Sequence, residues 1–205
     1  MTDTGIYGSH LPRMEAVKDK LFAVIENTRR ELTEKNGMDP AEHVLARIKS
    51  EESMREKCVR KGLPVTTESA LQKIRDAIGV RIVCAFVDDV YEIRDQLFAS
   101  GKYEFIEEKD YIRHAKPNGY RSYHLILSVA DDEPDIDGNY PGTYFAEIQL
   151  RTIAMDTWAA LEHELKYKKE VGARTELIVN ELKRCADELA STDLSMQTLR
   201  DLIRN

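Results

Sequence analysis

Cysteine is scarce in this chain: Cys58, Cys84 and Cys185 stand far apart, and no Cys-x-x-Cys pair occurs. An odd, dispersed set argues against a disulfide framework or a zinc site and fits free thiols in a reducing cytoplasm. No run approaches the ~20 apolar residues that a bilayer-spanning helix needs. Residues 1–10 lack a basic-then-apolar export signal, so a cytoplasmic protein without membrane contact is expected. The two common nucleotide fingerprints, Gly-x-x-x-x-Gly-Lys-Ser/Thr and Gly-x-Gly-x-x-Gly, are both missing. His163-Glu164 has no second histidine four positions on, which excludes the zinc-protease motif, and no Ser–His–Asp or Cys–His set is legible from spacing. Basic charge is the minority sign: 30 Lys and Arg against 37 Asp and Glu leave a net −7. An acidic chain repels duplex nucleic acid overall, so any phosphate recognition must come from a local basic patch.

What the chain does contain is enough for one globular domain, with 42% hydrophobic and 33% charged residues over 205 positions. Residues 12–36 predict an amphipathic packing helix, with Met14, Val17, Leu21, Ile25 and Leu32 on one face and Gly37 as its stop. The next segment crowds Arg47, Lys49, Arg55, Lys57, Arg60 and Lys61 together. Arg47 and Lys49 share one face if extended, and Ser50 caps a following helix that carries Ser53 and Lys57 on one side. Such a run reads either as a solvated face or as a cradle for phosphates.

A short helix is expected over 68–78 and a central, doubly covered strand over 79–87, with Arg81 as its charged anomaly and Asp76 just before it. Asp88 and Asp89 are expected to cap a helix over 90–100. A strand over 103–112 leads to Lys-Pro-Asn-Gly-Tyr-Arg-Ser-Tyr-His at 116–124, a turn that delivers polar groups into a second strand. The acidic loop 131–142 lacks the glutamate that a calcium loop would need at 144, where Tyr144 stands, and reads as a solvated hairpin connection. Over 143–151, Glu147, Gln149 and Arg151 share a pleat face, which describes the floor of a site. A helix over 152–169 carries Trp158, Leu161 and Leu165, and a last helix over 175–204 places Leu177, Leu182, Cys185, Ala186 and Leu189 on one face for the core or a subunit contact. Two carboxylates near strands, Asp76 and Glu147, can hold Mg²⁺ against phosphate oxygens.

These elements together resemble the RelA/SpoT-type synthetase domain. The match runs in order through Arg-Ile-Lys-Ser at 47–50 with Ser53 and Lys57, then Asp76 with Gly79-Val80-Arg81, residues 116–124, and Ala-Glu-Ile-Gln-Leu-Arg-Thr at 146–152. Trp158, Glu162-His163 and Tyr167-Lys168 continue it. The length is similar to that of the stand-alone small alarmone synthetases, with a core at about 40–170 and helical extensions over 12–36 and 175–204. The resemblance implies an α+β fold, a mixed β-sheet flanked by helices in the nucleotidyltransferase style. It implies transfer of pyrophosphate from ATP to the 3′-hydroxyl of GDP or GTP, giving AMP and ppGpp or pppGpp, the alarmones of the stringent response. By the same resemblance Arg47 and Arg81 flank adenine, while Lys49, Ser53 and Lys57 hold the ATP phosphates. Asp76 and Glu147 bind Mg²⁺, Glu147 serving as base, metal ligand or both. Tyr120 stacks on guanine, Lys116, Asn118 and His124 orient the acceptor, and Gln149 and Arg151 stand beside them. No His-Asp dipeptide of the family's hydrolase domain is present, so a monofunctional synthetase is expected, as a homotetramer and with room for an alarmone effector.

Two other readings compete. One keeps the fold and changes the acceptor to an adenine nucleotide or a tRNA 3′ end. The other is a non-catalytic single-stranded RNA regulator that uses the basic 47–61 patch and Tyr120.

Overall fold

The computed structural model describes residues 5–167 and 175–204, the side chains of 166 and 167 apart. A long helix, α1 (Leu11–Asn36), precedes β1 (Ala41–Ile48) and α2 (Glu51–Arg60). After a π-helical turn at Ser69–Lys73 come β2 (Ile78–Cys84), α3 (Val87–Ala99), β3 (Glu104–Asp110), β4 (Tyr123–Asp131) and β5 (Gly142–Thr152). Two helices, α4 (Ile153–Tyr167) and α5 (Thr175–Arg204), complete the order. The strands form one five-stranded sheet in the order β1-β2-β5-β4-β3. Only β2 and β5 run parallel, so the sheet is mixed and the class is α+β, as expected.

Side-chain alternation sorts the sheet into two faces. Tyr144, Ala146, Ile148 and Leu150 of β5 join Val80 and Ile82 of β2 and Leu125 and Leu127 of β4 in a core roofed by α1. The predicted stripe of α1 is the one that is buried, from Met14 to Leu32. Gly37 ends that helix in a left-handed conformation (φ 70°), which lets its N–H reach the Thr33 carbonyl at 2.8 Å. The opposite face carries the charged residues of β5 and is covered at one end by a smaller cluster of Trp158, Leu182 and Ala186. Among the described residues, no helix is long and apolar enough to cross a membrane.

Several boundaries differ from expectation for local reasons. The helix expected over 68–78 stops at Lys73, because residues 74–77 extend to feed β2 and leave Asp76 outside regular structure. The strand expected to reach Val87 ends at Cys84, and α3 starts at Val87, three residues early. Asp88 and Asp89 therefore lie within the first turn instead of before it, and Asp89 caps backwards by accepting the Phe86 N–H at 3.2 Å. β2 is interior but one strand off centre, since β5 inserts between β2 and β4. Leu161, Leu165, Leu177 and Cys185 are exposed, so the apolar periodicity of α4 and α5 overstates their buried faces. The expected helix end at Lys169 and the matched Lys168 lie outside the described residues. The 131–142 segment is a hairpin connection, tied by Asp135 accepting from the N–H groups of Asp137 and Asn139 at 3.0 Å each.

The far end of α5 is anchored by charge. Arg200, 7% exposed, donates to Asp89 at 2.7 Å and Asp88 at 3.2 Å, and its guanidinium lies 4.4 Å over the Phe86 ring. Burial raises the Asp89 carboxyl, and Arg200 opposes that rise. Removing one partner of such a pair strands the other charge in a desolvated place. Arg200→Met is expected to destabilise the protein by about 3 kcal/mol, lowering Tm by roughly 10 °C, with Asp89→Asn in the same chain restoring part of the loss. Thermal denaturation of the three proteins measures this, and an unchanged Tm in the single variant counts against the anchor.

Candidate active site

Strand register lines up the site residues before any side-chain contact is considered. On the charged face, Arg47 of β1 pairs with Gly79 of β2, Gly79 with Glu147 of β5, and Glu147 with Ile126 of β4. Ile126 in turn pairs with Glu107 of β3. One rung along, Leu45, Arg81, Gln149, His124 and Lys109 form a second row across all the strands. Residues scattered over more than a hundred positions of sequence thus become neighbours through hydrogen-bonded pairing.

Two cavities open on these rows. A smaller one of about 120 Å³ is bordered by Leu45, Arg47, Lys49, Gly79 and Arg81. A larger one of about 290 Å³ is bordered by Lys57, Lys109, Tyr111, Lys116 and His124. Asp76, Glu147 and Gln149 line both. The shared wall is the point where two ligands, one per cavity, would meet.

Asp76 is gripped by cations. Its Oδ2 accepts from Lys57 and lies 3.1 Å from the Lys49 ammonium, whereas its Oδ1 is buried with no hydrogen-bond partner. Ser50, the predicted cap of α2, accepts the Ser53 N–H at 3.3 Å, and this sets the helix that presents Lys57. An N-terminal strut supports the same corner: the buried Tyr7 hydroxyl donates to the Lys49 carbonyl at 2.7 Å. Burial, with the charges of Asp76 and Glu51, pushes the Tyr7 hydroxyl well above the ordinary phenol range, so it remains a donor.

Glu147 is the other pole. Oε1 accepts from His124 Nδ1 at 2.9 Å and Oε2 accepts from Gln149 at 2.7 Å. Burial alone would raise this carboxyl. The hydrogen bond and charge of His124, the Gln149 hydrogen bond and the Lys57 charge outweigh it and hold the group at about 2. The imidazole's orientation is set from behind. Arg151, a donor without acceptor capacity, donates to the Tyr120 hydroxyl at 2.7 Å. That oxygen sits 2.8 Å from His124 Nε2. In the neutral ring, Tyr120 then donates to Nε2, leaving the hydrogen on Nδ1; in the charged ring both nitrogens carry one. Nδ1 donates to Glu147 either way.

Most of the sequence-predicted site residues converge, in places by unexpected routes. Arg47, Lys49 and Arg81 border the smaller cavity, and Lys116 and His124 the larger. Lys57, expected with the ATP phosphates, borders the larger cavity beside Asp76. Ser53 is exposed and its hydroxyl accepts from the Ser50 hydroxyl at 2.9 Å, so it borders neither cavity. Asn118 shapes the turn, donating to Glu162 at 3.0 Å and accepting the Tyr120 N–H at 3.2 Å. Gly119 (φ 91°) lies against α5, where an added Cβ would stand 2.6 Å from that of Ala186. Arg151 is buried and committed to Ser122, Gln149, Tyr120 and Asp156. Tyr120 borders neither cavity, and its ring is covered by the Lys116 ammonium at 4.6 Å, which also lies 4.4 Å over Tyr111. Burial and the neighbouring Lys109 charge lower the Lys116 amine.

Glu107, Lys109 and Tyr111 escaped the sequence reading although they border the larger cavity. The alternation of residues 107 and 109 along β3 was the available signal, and it acquires meaning only once β3 is placed beside β4. The outward residues of the basic run, Arg55, Arg60 and Lys61, are exposed, while Arg47, Lys49 and Lys57 turn to the cavities. The run is divided and does not form one stripe.

The depressed Glu147 carboxyl makes a signed prediction. Its stabilising contribution is complete above the ordinary value of 4.5 and is lost as pH falls from there toward about 2. Denaturant unfolding across that window should show a steep loss of stability in the parent protein and a flatter one in Glu147→Gln.

Comparisons with known proteins agree with one another. The family described as a region found in RelA / SpoT proteins matches residues 46–172. The GTP pyrophosphokinase YwaC of Bacillus subtilis (strain 168) is 42% identical over 152 residues, covering 74% of this chain and 70% of that protein. The GTP pyrophosphokinase YjbM of the same organism is 34% identical over 165 residues, covering 78% and 72%. Among solved structures, small alarmone synthetase 1 from Bacillus subtilis, bound to its product pppGpp, superposes with a TM-score of 0.80 at 30% identity over 96% of each chain. Small alarmone synthetase 2 from that organism superposes with a TM-score of 0.79 at 34% identity, over 94% of this chain and 98% of the other. Asp76, just before β2, and Glu147 on β5 line one shared wall; with a family match over more than half the chain and fold agreement along nearly its whole length, they lead to one conclusion: this chain belongs to the RelA/SpoT family and has the fold of its small alarmone synthetases.

Proposed function

We propose that this protein is a GTP/GDP pyrophosphokinase, moving pyrophosphate from ATP to the 3′-hydroxyl of GDP or GTP. The observation that carries the reading is the pair of cavities sharing Asp76 and Glu147, one walled by Arg47 and Arg81 and the other by Lys57, Lys109, Lys116 and Tyr111. ATP occupies the smaller cavity, its adenine against the planar guanidinium groups of Arg47 and Arg81, which suit stacking on a flat ring. The guanine nucleotide occupies the larger one, with Lys109 and Lys116 as counter-charges for its 5′-phosphates. For guanine to stack on Tyr120, the Lys116 ammonium that covers the ring must withdraw, and an acceptor phosphate gives it a destination.

The residues suit a magnesium ion held jointly with phosphates. Among the described residues no group of three or more His, Cys, Asp or Glu could hold a metal alone. The unpartnered Asp76 Oδ1 and the ionised Glu147 instead offer two hard oxygen ligands, the number typical where substrate phosphates and water complete the shell. When bound, Mg²⁺ would neutralise charge on the bridging phosphate oxygens.

The remaining work falls to the chain's own groups. ATP phosphates compete with Asp76 for the Lys49 and Lys57 ammonium groups, so nucleotide entry frees the Asp76 carboxylate. The acceptor 3′-oxygen attacks the β-phosphorus of ATP, the bond from that phosphorus to the α–β bridging oxygen breaks, and AMP departs. The hydroxyl proton passes to Glu147. A carboxyl held near 2 is a weak base for an unactivated alcohol. It suffices if it orients the hydroxyl first and takes the proton late, once the new P–O bond has made that proton acidic. Exposed Leu161, Leu165, Leu194, Leu199, Leu202 and Ile203 along α4 and α5 support assembly as a homotetramer, as the resemblance implies.

With labelled ATP and GDP in Mg²⁺, the parent protein should form ppGpp, and Glu147→Gln should lose at least ~100-fold in rate. Tyr120→Ala should raise KM for the guanine nucleotide about tenfold, in line with one lost base stack, and leave KM for ATP within about twofold. Absence of product across Mg²⁺ concentrations overturns the reading, and equal loss for both nucleotides makes the 116–124 loop a structural element.

A further inference from the structure

Asp156 borders neither cavity, yet it sits where the two arginines of the site approach each other. It lies in the first turn of α4, beneath the charged face of the sheet, with a side chain 20% exposed. A single oxygen, Oδ1, is 3.2 Å from Arg81 Nη1 and 3.0 Å from Arg151 Nη1. The two guanidinium groups are held very differently. Arg151 is 5% exposed in its side chain and keeps three further acceptors: Ser122 Oγ at 3.3 Å, Gln149 Oε1 at 3.1 Å and Tyr120 Oη at 2.7 Å. Arg81 is 32% exposed, and its Nε is buried with no acceptor. Burial and the Arg151 charge both disfavour the Arg81 cation, and the Asp156 charge opposes them.

Two cations side by side at the rim of a sheet repel unless an anion lies between them. If that anion is removed, the group with other tethers remains and the group with a path to water leaves. Arg81 is the one with the path.

From this geometry we propose that Asp156 is a positioning residue for the donor nucleotide, holding Arg81 over the smaller cavity against the repulsion of Arg151 while touching no substrate itself. The proposal rests on the two-cavity assignment above. It assigns a role to α4 that its position in the fold does not otherwise require, since α4 is already seated by Trp158, whose indole N–H donates to the Leu182 carbonyl at 2.8 Å.

The test is titration calorimetry of two probes, α,β-methylene-ATP and GDP, each added alone to the parent protein, Asp156→Asn, Asp156→Glu and Arg81→Lys. Asparagine keeps the shape and an acceptor but removes the charge. Asp156→Asn should weaken the ATP analogue about tenfold, the scale of one charge-assisted hydrogen bond, and change GDP by less than about threefold. Asp156→Glu, which keeps the anion, should recover much of the loss. Adding Asp156→Asn to Arg81→Lys should cost less than about twofold further, since the side chain being positioned is already replaced. An unchanged affinity for the ATP analogue in Asp156→Asn overturns the proposal. So does an equal loss for both probes with a lowered Tm, because α4 would then be a structural prop. Should Asp156→Asn fail to fold, Asp156→Ala, which also removes the anion, decides: a loss confined to the ATP analogue supports the proposal, and none overturns it. Formation of ppGpp by the parent protein is read separately, so failure of the functional assignment is not confused with failure of this one.

Discussion

A carboxylate on the middle strand of a sheet has to be neutralised or it will not stay ionised. Glu147 stands on β5, between Gly79 and Ile126, and burial works against its charge. Much of the surrounding architecture answers that cost. His124 and Gln149 supply hydrogen bonds from the adjacent rung, Lys57 supplies charge from α2, and Tyr120 and Arg151 fix the imidazole so that its Nδ1 hydrogen faces the carboxylate. The network is closed on the acceptor side by protein groups alone, so the charge is in place before any ligand arrives.

The Asp76 side is built differently. Two lysines crowd one oxygen while the other oxygen has no partner. A buried acceptor without a donor is costly, and under the proposed function a bound cation would satisfy it. Under the proposed function the two carboxylates would divide the work: Glu147 is held in place beforehand, and Asp76 would trade its lysines for the nucleotide. Electrostatic preorganisation favours the first arrangement where charge develops in a transition state, and the second suits a position that a charged substrate must enter.

The elements most legible in the sequence were those whose periodicity was local. The stripe of α1, the alternation of β4 and β5, the Ser50 cap and the Gly37 stop all follow from side chains a few positions apart. The polar pleat of Glu147, Gln149 and Arg151 was legible for the same reason, and the structure adds that these three bond to one another in series. Misreadings cluster where tertiary context overrides local pattern. The start of α3 moved to Val87 because Asp89 caps backwards, and Leu161, Leu165 and Leu177 are exposed despite helical spacing. Glu107, Lys109 and Tyr111 were invisible as site residues, since β3 alternation alone does not say which face meets a cavity.

The residue types available for the chemistry, most of the helical and extended segments, and the side chains that share a face are all legible in the amino-acid order. Those are short-range properties, set by backbone periods of 3.6 and 2 and by turn chemistry. The strand order β1-β2-β5-β4-β3 comes from long-range folding, and with it the rows that carry Arg47 to Glu107 and Leu45 to Lys109 across the sheet. Long-range folding also decided that Lys57 faces the larger cavity, that Arg151 is spent on holding Tyr120, and that Asp156 stands between two arginines. Each depends on groups far apart in the chain meeting in a low-dielectric interior, where a few ångströms separate a ligand from a support.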